Sequence, residues 1–321
     1  MSKFRIRERI GIIREHLYSQ VPIRKSLDQI DDKLLLMMNH MLDIQKIQPA
    51  TGKLRLWQEA EFQVLRLLHA IAQHNHINFW LDFGTLVGAI RHEGFIPWDD
   101  DIDIALLHDD YDAFKKCLAK ELPGRFTLSD WYGLNGDGIG IMRVTDNPSG
   151  CFVDIIPYDK IPGALNVNGD MTKWETEYLK EFADCKNYAC TNGYTATLRE
   201  RIANWRNSHP SGDGNKTGIA LSMLLTCCIP SSRNVFQEQD IFPLRKTTFE
   251  GSEFFIPNHA EKNLNRIYGD YMKFPKDAGY SNHSYSCNPL AGQVQMRKII
   301  DELSEIYRAY QLGKSGSSRN L

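Results

Sequence analysis

Residues 99–103 set Asp99, Asp100, Asp101 and Asp103 in an otherwise apolar setting. Phe79-Trp80-Leu81 leads towards them, and Ile102, Ile104 and Ala105 run through and past them. Carboxylates this close repel one another, so a fold that buries them must supply positive charge. A divalent metal is the simplest source. Read as strand-like alternation, Asp101 and Asp103 project to one side while Ile102 and Ile104 project to the other. Two carboxylates about 7 Å apart on one strand face can bracket a metal ion.

The flanking residues extend the same chemistry. Phe79 to Phe83 reads as a short buried strand, Gly84-Thr85 as a turn, and Leu86 to Arg91 as a short helix leaving that turn. A glycine turn feeding a helix presents free N–H groups and a positive dipole end, which suits a phosphate. Further along, Cys151-Phe152-Val153-Asp154-Ile155-Ile156 carries a lone acid inside an apolar strand. Asp154 either accepts hydrogen bonds from a neighbouring loop or joins Asp101 and Asp103 as a third carboxylate on an adjacent strand; the second reading is favoured.

Whole-chain properties bound the rest. A 321-residue chain is long enough for one large domain or two ordinary ones. Its net charge of -2 supplies no basic field for nucleic acid. Seven scattered cysteines, with no C-x2-C pair, read as buried free thiols in a reducing compartment rather than a disulfide framework or a zinc site. No apolar run is long enough to cross a membrane, and the basic N-terminus lacks the apolar core of a secretory signal.

Along the chain, residues 1–50 form an N-terminal helical extension. Ile6, Ile10, Ile13 and Leu17 fall at helical spacing, with Arg5, Arg9 and Arg14 on other faces. Such a helix packs on its own domain or, as the second reading, makes peripheral contact with an anionic membrane. A second helix is expected from Leu27 to Ile44. Trp57, Phe62, Leu65 and Leu68 predict an amphipathic helix from Leu56 to Asn75. Helices are also expected over Tyr111–Lys120, Ala260–Tyr268 and Gln293–Tyr310, strands over Asp101–Ala105, Ile139–Val144 and Cys151–Ile156, and a β-hairpin within 240–257. The tract Asn135-Gly136-Asp137-Gly138 reads as a turn rather than a calcium loop. The expected divisions are a catalytic core at 51–165, a helical insertion on the acceptor side at 166–235, a C-terminal part at 236–311, and a polar tail at 312–321.

Gly84-Thr85, then Asp101-x-Asp103 on a strand, then Asp154 on a later strand is the nucleotidyltransferase-fold pattern. More specifically, Asp82 to His92, Gly94 to Asp103 and Val153 to Tyr158 resemble the LicD family, whose domain is shared with fukutin and fukutin-related protein. Asp240 to Leu244, Phe249-Glu250-Gly251, Ile256-Pro257-Asn258 and Tyr268-Gly269-Asp270-Tyr271 extend the resemblance over roughly residues 56–275. It implies an α+β fold with a mixed-sheet core, flanking helices, the N-terminal helical extension and the helical insertion.

The implied activity is transfer of an alcohol-phosphate, with phosphocholine leading by family frequency, from a CDP-activated donor. The acceptor is a hydroxyl of a cell-surface glycan, such as lipopolysaccharide, capsule or teichoic acid precursor, lipid-linked forms included; CMP leaves. The alternative is a nucleotidyltransferase that moves NMP from an NTP and releases pyrophosphate. The implied location is the cytoplasm, including the inner face of the membrane.

Under this resemblance Asp101, Asp103 and Asp154 hold Mg2+ or Mn2+, and Asp154 is either a ligand or the base for the acceptor hydroxyl. Gly84 and Thr85 approach the donor phosphates. Arg91 and His92 either contact them or orient the Asp99-Asp100 loop. Trp98 and Tyr158 pack by default, with stacking on cytosine or a choline cation as the other reading. Asn258 and, with less support, Lys246 are further donor contacts.

Overall fold

The computed structural model describes residues 22–131, 141–162, 217–221, 235–275 and 292–317, with scattered positions between 180 and 208. Two compact units are distinguished: residues 1–47 with 271–281, and residues 48–270 with 282–321. In the smaller unit, helix α1 (Pro22–Met41) is followed by a 3-10 turn at Ile44–Lys46, which Asp43 caps by accepting from the Gln45 amide at 3.1 Å. The expected basic helix over 6–17 lies outside the described residues.

The larger unit has an α+β fold, as the sequence predicts. Its elements run α2 (Gly52–His74), β1 (Trp80–Leu81), α3 (Phe83–His92), β2 (Asp103–Leu107), α4 (His108–Glu121), β3 (Phe126–Trp131), β4 (Ile141–Asp146) and β5 (Phe152–Pro162). Then come β6 (Thr217–Leu221), β7 (Val235–Gln237), α5 (Glu238–Ile241), β8 (Arg245–Phe249), β9 (Ser252–Ile256), α6 (Ala260–Tyr268) and α7 (Gln293–Ser317). The mixed sheet has the order β1-β2-β5-β4-β3. β2 and β5 are parallel, and the other pairs are antiparallel.

α2 is the core helix. It buries Trp57, Ala60, Val64, Leu65, Leu68 and Ile71, and α7 packs along it. Burial of that apolar surface is the main driving force for docking helices onto sheet. The β8–β9 hairpin turns at Glu250 (φ 48°) and Gly251 (φ 74°), the positive-φ pair of a tight two-residue turn. Its tip braces the loop ahead of the acids. Glu250 takes a fork of hydrogen bonds from Arg55 at 2.8 and 3.0 Å, and its amide donates to the Glu93 carbonyl at 2.9 Å. A Cβ on Gly94 would lie 2.5 Å from the Glu250 carboxylate, so a side chain there would have to push that carboxylate aside.

Several boundaries differ from the sequence reading. β5 continues past Ile156 to Pro162 because its second half pairs with β6, and β7 pairs with β6 in turn. The stretch 217–221 is therefore a strand within what reads as a helical insertion; a pairing partner some sixty residues away leaves no local trace. β3 is likewise additional. α7 runs to Ser317, past the expected end at Tyr310. Asn135 to Gly138 lies outside the described residues.

Candidate active site

The acids meet at one end of β1, β2 and β5. Asp103 is the first residue of β2 and lies in register with Asp154 on β5, which lies in register with Arg143 on β4. On the other side, the Asp82 amide at the end of β1 donates to the Asp103 carbonyl at 3.1 Å. Asp82, Asp103, Asp154 and Arg143 thus form one row across four adjacent strands. Asp101 precedes β2 rather than sharing it, so strand alternation does not by itself place it beside Asp103.

Each member of the row is anchored. Tyr158 is buried (1% exposed) and its hydroxyl donates to Asp82 at 2.6 Å, giving this tyrosine a packing and tethering role. Thr85 is buried in α3, and its hydroxyl accepts from the Asp103 amide at 2.8 Å, so it fixes the start of β2. The turn into α3 passes through Phe83 at φ 43°, a strained position for a bulky residue and a common feature of functional turns. Gly84 lies against the acids: a Cβ there would stand 2.6 Å from Asp99 Oδ2. Arg143 Nε and Nη2 donate to the two oxygens of Asp154, both at 2.6 Å, and the guanidinium lies 3.7 Å from the centroid of the Phe152 ring.

The electrostatics show charge in excess. Burial, then the charges of Asp101, Asp154, Asp82 and Asp99, pushes the Asp103 carboxyl well above its ordinary range. Burial, then Asp101 and Asp100, does the same to Asp99, with Arg91 opposing. Burial raises Asp82 to about 6 despite hydrogen bonds from Tyr158 and the Phe83 amide. Arg91 is buried; it donates to His92 Nε2 at 3.0 Å and lies 5.8 Å from the Trp98 ring centroid. Burial and then Arg91 lower His92 to about 4, so it is neutral at pH 7 and takes the Arg91 hydrogen bond as an acceptor.

Asn258 and Lys246 stand in structural contacts. The Asn258 amide donates to the Gln239 carbonyl at 3.0 Å, and Lys246 pairs with Glu253 across the hairpin at 3.1 Å. Three residues without an assigned role in the sequence join the site. Arg143 clamps Asp154. Glu61 of α2 is buried beside Asp99, Asp100 and Asp101. Tyr268 ends α6, which packs on α3; its hydroxyl is crowded among Asp103, Asp82, Asp99 and Asp101 while 46% of the residue stays exposed. Tyr268 lies in a segment that carries the family resemblance, and that was its only signal in the sequence.

The fit to a cation rests on charge and donor type. Asp101 and Asp103 offer hard oxygen donors of the kind that suit Mg2+ or Mn2+, Asp99 and Glu61 add negative charge near them, and Arg143 is engaged with Asp154. Among the described residues no three His, Cys, Asp or Glu side chains are already gathered as a metal cluster.

The row of acids makes the comparison with known proteins specific. Residues 76–189 match the family model described as "LicD/FKTN/FKRP, nucleotidyltransferase domain". Over those residues the chain is similar to the LicD family. It is 26% identical over 257 residues to the lipopolysaccharide cholinephosphotransferase LicD of Haemophilus influenzae, a match covering 72% of this chain and 95% of that protein. An uncharacterised protein of Rickettsia typhi is 34% identical over 103 residues, covering 32% of this chain and 33% of that one. Mannosyltransferase regulator 14 of Saccharomyces cerevisiae is 25% identical over 268 residues, covering 64% of this chain and 28% of the yeast protein. The family-model match, residues 76–189, spans the whole row from Asp82 to Asp154 with Arg143. The described cysteines of the chain, Cys117, Cys151 and Cys185, are free thiols. No helix among the described residues is long and apolar enough to cross a membrane.

Asp82 makes the excess charge measurable. Its carboxyl goes from a reference value of 3.8 to about 6 on folding, so the folded state binds a proton that the unfolded state has released. Its contribution to stability is present below about pH 4 and is lost as pH rises through 6, a difference of about 3 kcal/mol at 1.36 kcal/mol per unit. In EDTA, Asp82→Asn is expected to be more stable than the parent at pH 7.5, with the gain shrinking towards pH 4. Urea unfolding at several pH values checks this; a gain independent of pH would contradict it.

Proposed function

We propose that this protein is a phosphotransferase that moves an alcohol-phosphate from a CDP-activated donor to a glycan hydroxyl, releasing CMP. The observation that carries this reading is the row Asp82, Asp103, Asp154 and Arg143, set beside the first turn of α3, where Gly84 and Thr85 lie at the same strand ends. Similarity over most of the chain to a lipopolysaccharide cholinephosphotransferase supports phosphocholine as the group and a lipopolysaccharide-type glycan as the acceptor.

The donor carries a diphosphate, and nucleophilic attack on its distal phosphorus spreads charge over the phosphoryl oxygens. A divalent cation, when bound, neutralises the diphosphate and polarises those oxygens. Asp101 and Asp103 are the residues to hold it. Thr85 keeps Asp103 in place through the strand amide. Arg91 stands beside Asp99 with a guanidinium able to meet developing charge. Asp154 is held by the Arg143 fork at the strand ends and is the candidate base for the acceptor hydroxyl's proton. Tyr268 is an aromatic residue near the acids, where a quaternary ammonium would be attracted by both ring and carboxylates.

Product analysis separates this reading from nucleotidyl transfer. The protein is incubated with Mg2+, an acceptor glycan and, in turn, CDP-choline, CDP-ethanolamine, CDP-ribitol, CDP-glycerol and NTPs. CMP together with a new phosphodiester signal in the 31P spectrum is expected for one CDP-alcohol. Pyrophosphate released from an NTP, with no CMP from any CDP-alcohol, would overturn the proposal.

A further inference from the structure

α2 holds the acidic loop from below. Residues three and four apart on a helix are neighbours, so Trp57, Gln58 and Glu61 share one face. The loop 96–100 lies on it. The Gln58 amide donates to the Ile96 and Asp99 carbonyls at 3.3 and 2.8 Å, and the Trp57 indole N–H donates to the Asp100 carbonyl at 2.9 Å. Two of the three side chains therefore fix the backbone that carries the acids.

The third does something different. Glu61 is 0% exposed, and neither of its carboxyl oxygens has a hydrogen-bond partner. The Trp57 N–H lies close enough to favour the carboxylate form but donates its hydrogen bond to the Asp100 carbonyl. The charges bearing on Glu61 are those of Asp101, Asp100 and Asp99, all of its own sign. A buried carboxyl without a donor is destabilising, and one facing three more acids is doubly so. Leucine at this position would relieve both costs while filling similar space, and glutamine would remove the like charge. A position that keeps an acid against its own stability is the mark of a site that serves a ligand.

We propose that Glu61 is a positioning residue of the cation site: from α2 it completes the negative field under the loop and sets how tightly a divalent cation is held at Asp101 and Asp103. This inference rests on the cation reading given above for the donor diphosphate. It assigns to α2 a part in the chemistry beyond supporting the loop, and it makes the helix the fixed wall against which the acids are arranged.

The test measures cation binding without donor, acceptor or turnover. Mn2+ is titrated into EDTA-stripped, full-length protein, with free Mn2+ followed by its EPR signal, for the parent, Glu61→Gln and Glu61→Asp; each melting temperature is taken in EDTA. The parent is expected to bind Mn2+, and Glu61→Gln to bind at least tenfold more weakly while melting at the same or a higher temperature. Glu61→Asp, which keeps the charge but retracts it, is expected to fall between them and supplies the comparison if the glutamine variant folds poorly. Parent and variants binding within twofold of each other would overturn the role of Glu61 and leave the cation reading standing. A loss of melting temperature with unchanged Mn2+ affinity would do the same, by making Glu61 structural. A parent protein that binds no Mn2+ would overturn the cation reading and this inference with it.

Discussion

Asp103→Asn is expected to reduce CMP formation by on the order of 10²–10³, the range seen when one preorganised electrostatic group is removed from a transition state. Asp103 stands between Asp82 and Asp154 in register, and its amide is pinned by Thr85. The substitution keeps shape and polarity, so it tests charge alone. Burial and four neighbouring acids push this carboxyl well up, so its removal relieves repulsion. The variant is therefore expected to melt in EDTA at the same or a higher temperature. Steady-state CMP release paired with thermal melting checks both halves; near-parental turnover at an unchanged melting temperature would refute the assignment.

Arg143→Leu is expected to be the most destabilising single change at the site. The guanidinium donates to both oxygens of Asp154 at 2.6 Å and packs over Phe152, while Asp154 is 4% exposed. Breaking a buried pair by removing one partner costs about 3–5 kcal/mol, because the remaining charge is left uncompensated. The second change Asp154→Asn removes that charge and is expected to restore a large part of the loss, a coupling that a double-mutant cycle in urea measures directly. A loss below about 1 kcal/mol, or no rescue by Asp154→Asn, would show the pair to be dispensable for the fold.

These two residues mark where the sequence is legible and where it stops. Asp103 and Asp154 stand out because each is an acid inside an apolar strand, where an unpaired charge needs a reason. The short helix after β1 is readable for the same local causes, but it begins at Phe83, so Gly84 and Thr85 lie in its first turn rather than in a turn ahead of it. Arg143 was equally visible as a charge in an apolar strand, but its meaning depends on register with β5, which hydrophobic alternation does not supply. Glu61 is harder. The buried face of α2 runs through Trp57, Gln58, Glu61, Val64, Leu65 and Leu68, so two polar residues lie within the core stripe. A stripe drawn from apolar residues alone, through Trp57, Phe62, Leu65 and Leu68, passes them by. Tyr158 shows the converse: an aromatic beside a functional strand reads equally as ligand platform or packing, and its buried hydroxyl on Asp82 answers for packing. β6 illustrates the remaining gap, since a strand that completes the far half of β5 is defined by a distant partner rather than by its own residues.

The central claim is that the crowded acids at the ends of β1, β2 and β5 serve a cation-dependent transfer from a CDP-alcohol. Its most direct measurement is CMP release from CDP-choline by EDTA-stripped protein, with acceptor glycan present, as Mg2+ is titrated back. The account predicts no release above background without the cation, saturable recovery as Mg2+ is added, and recovery with Mn2+ in its place. CMP release that proceeds unchanged in EDTA would contradict it.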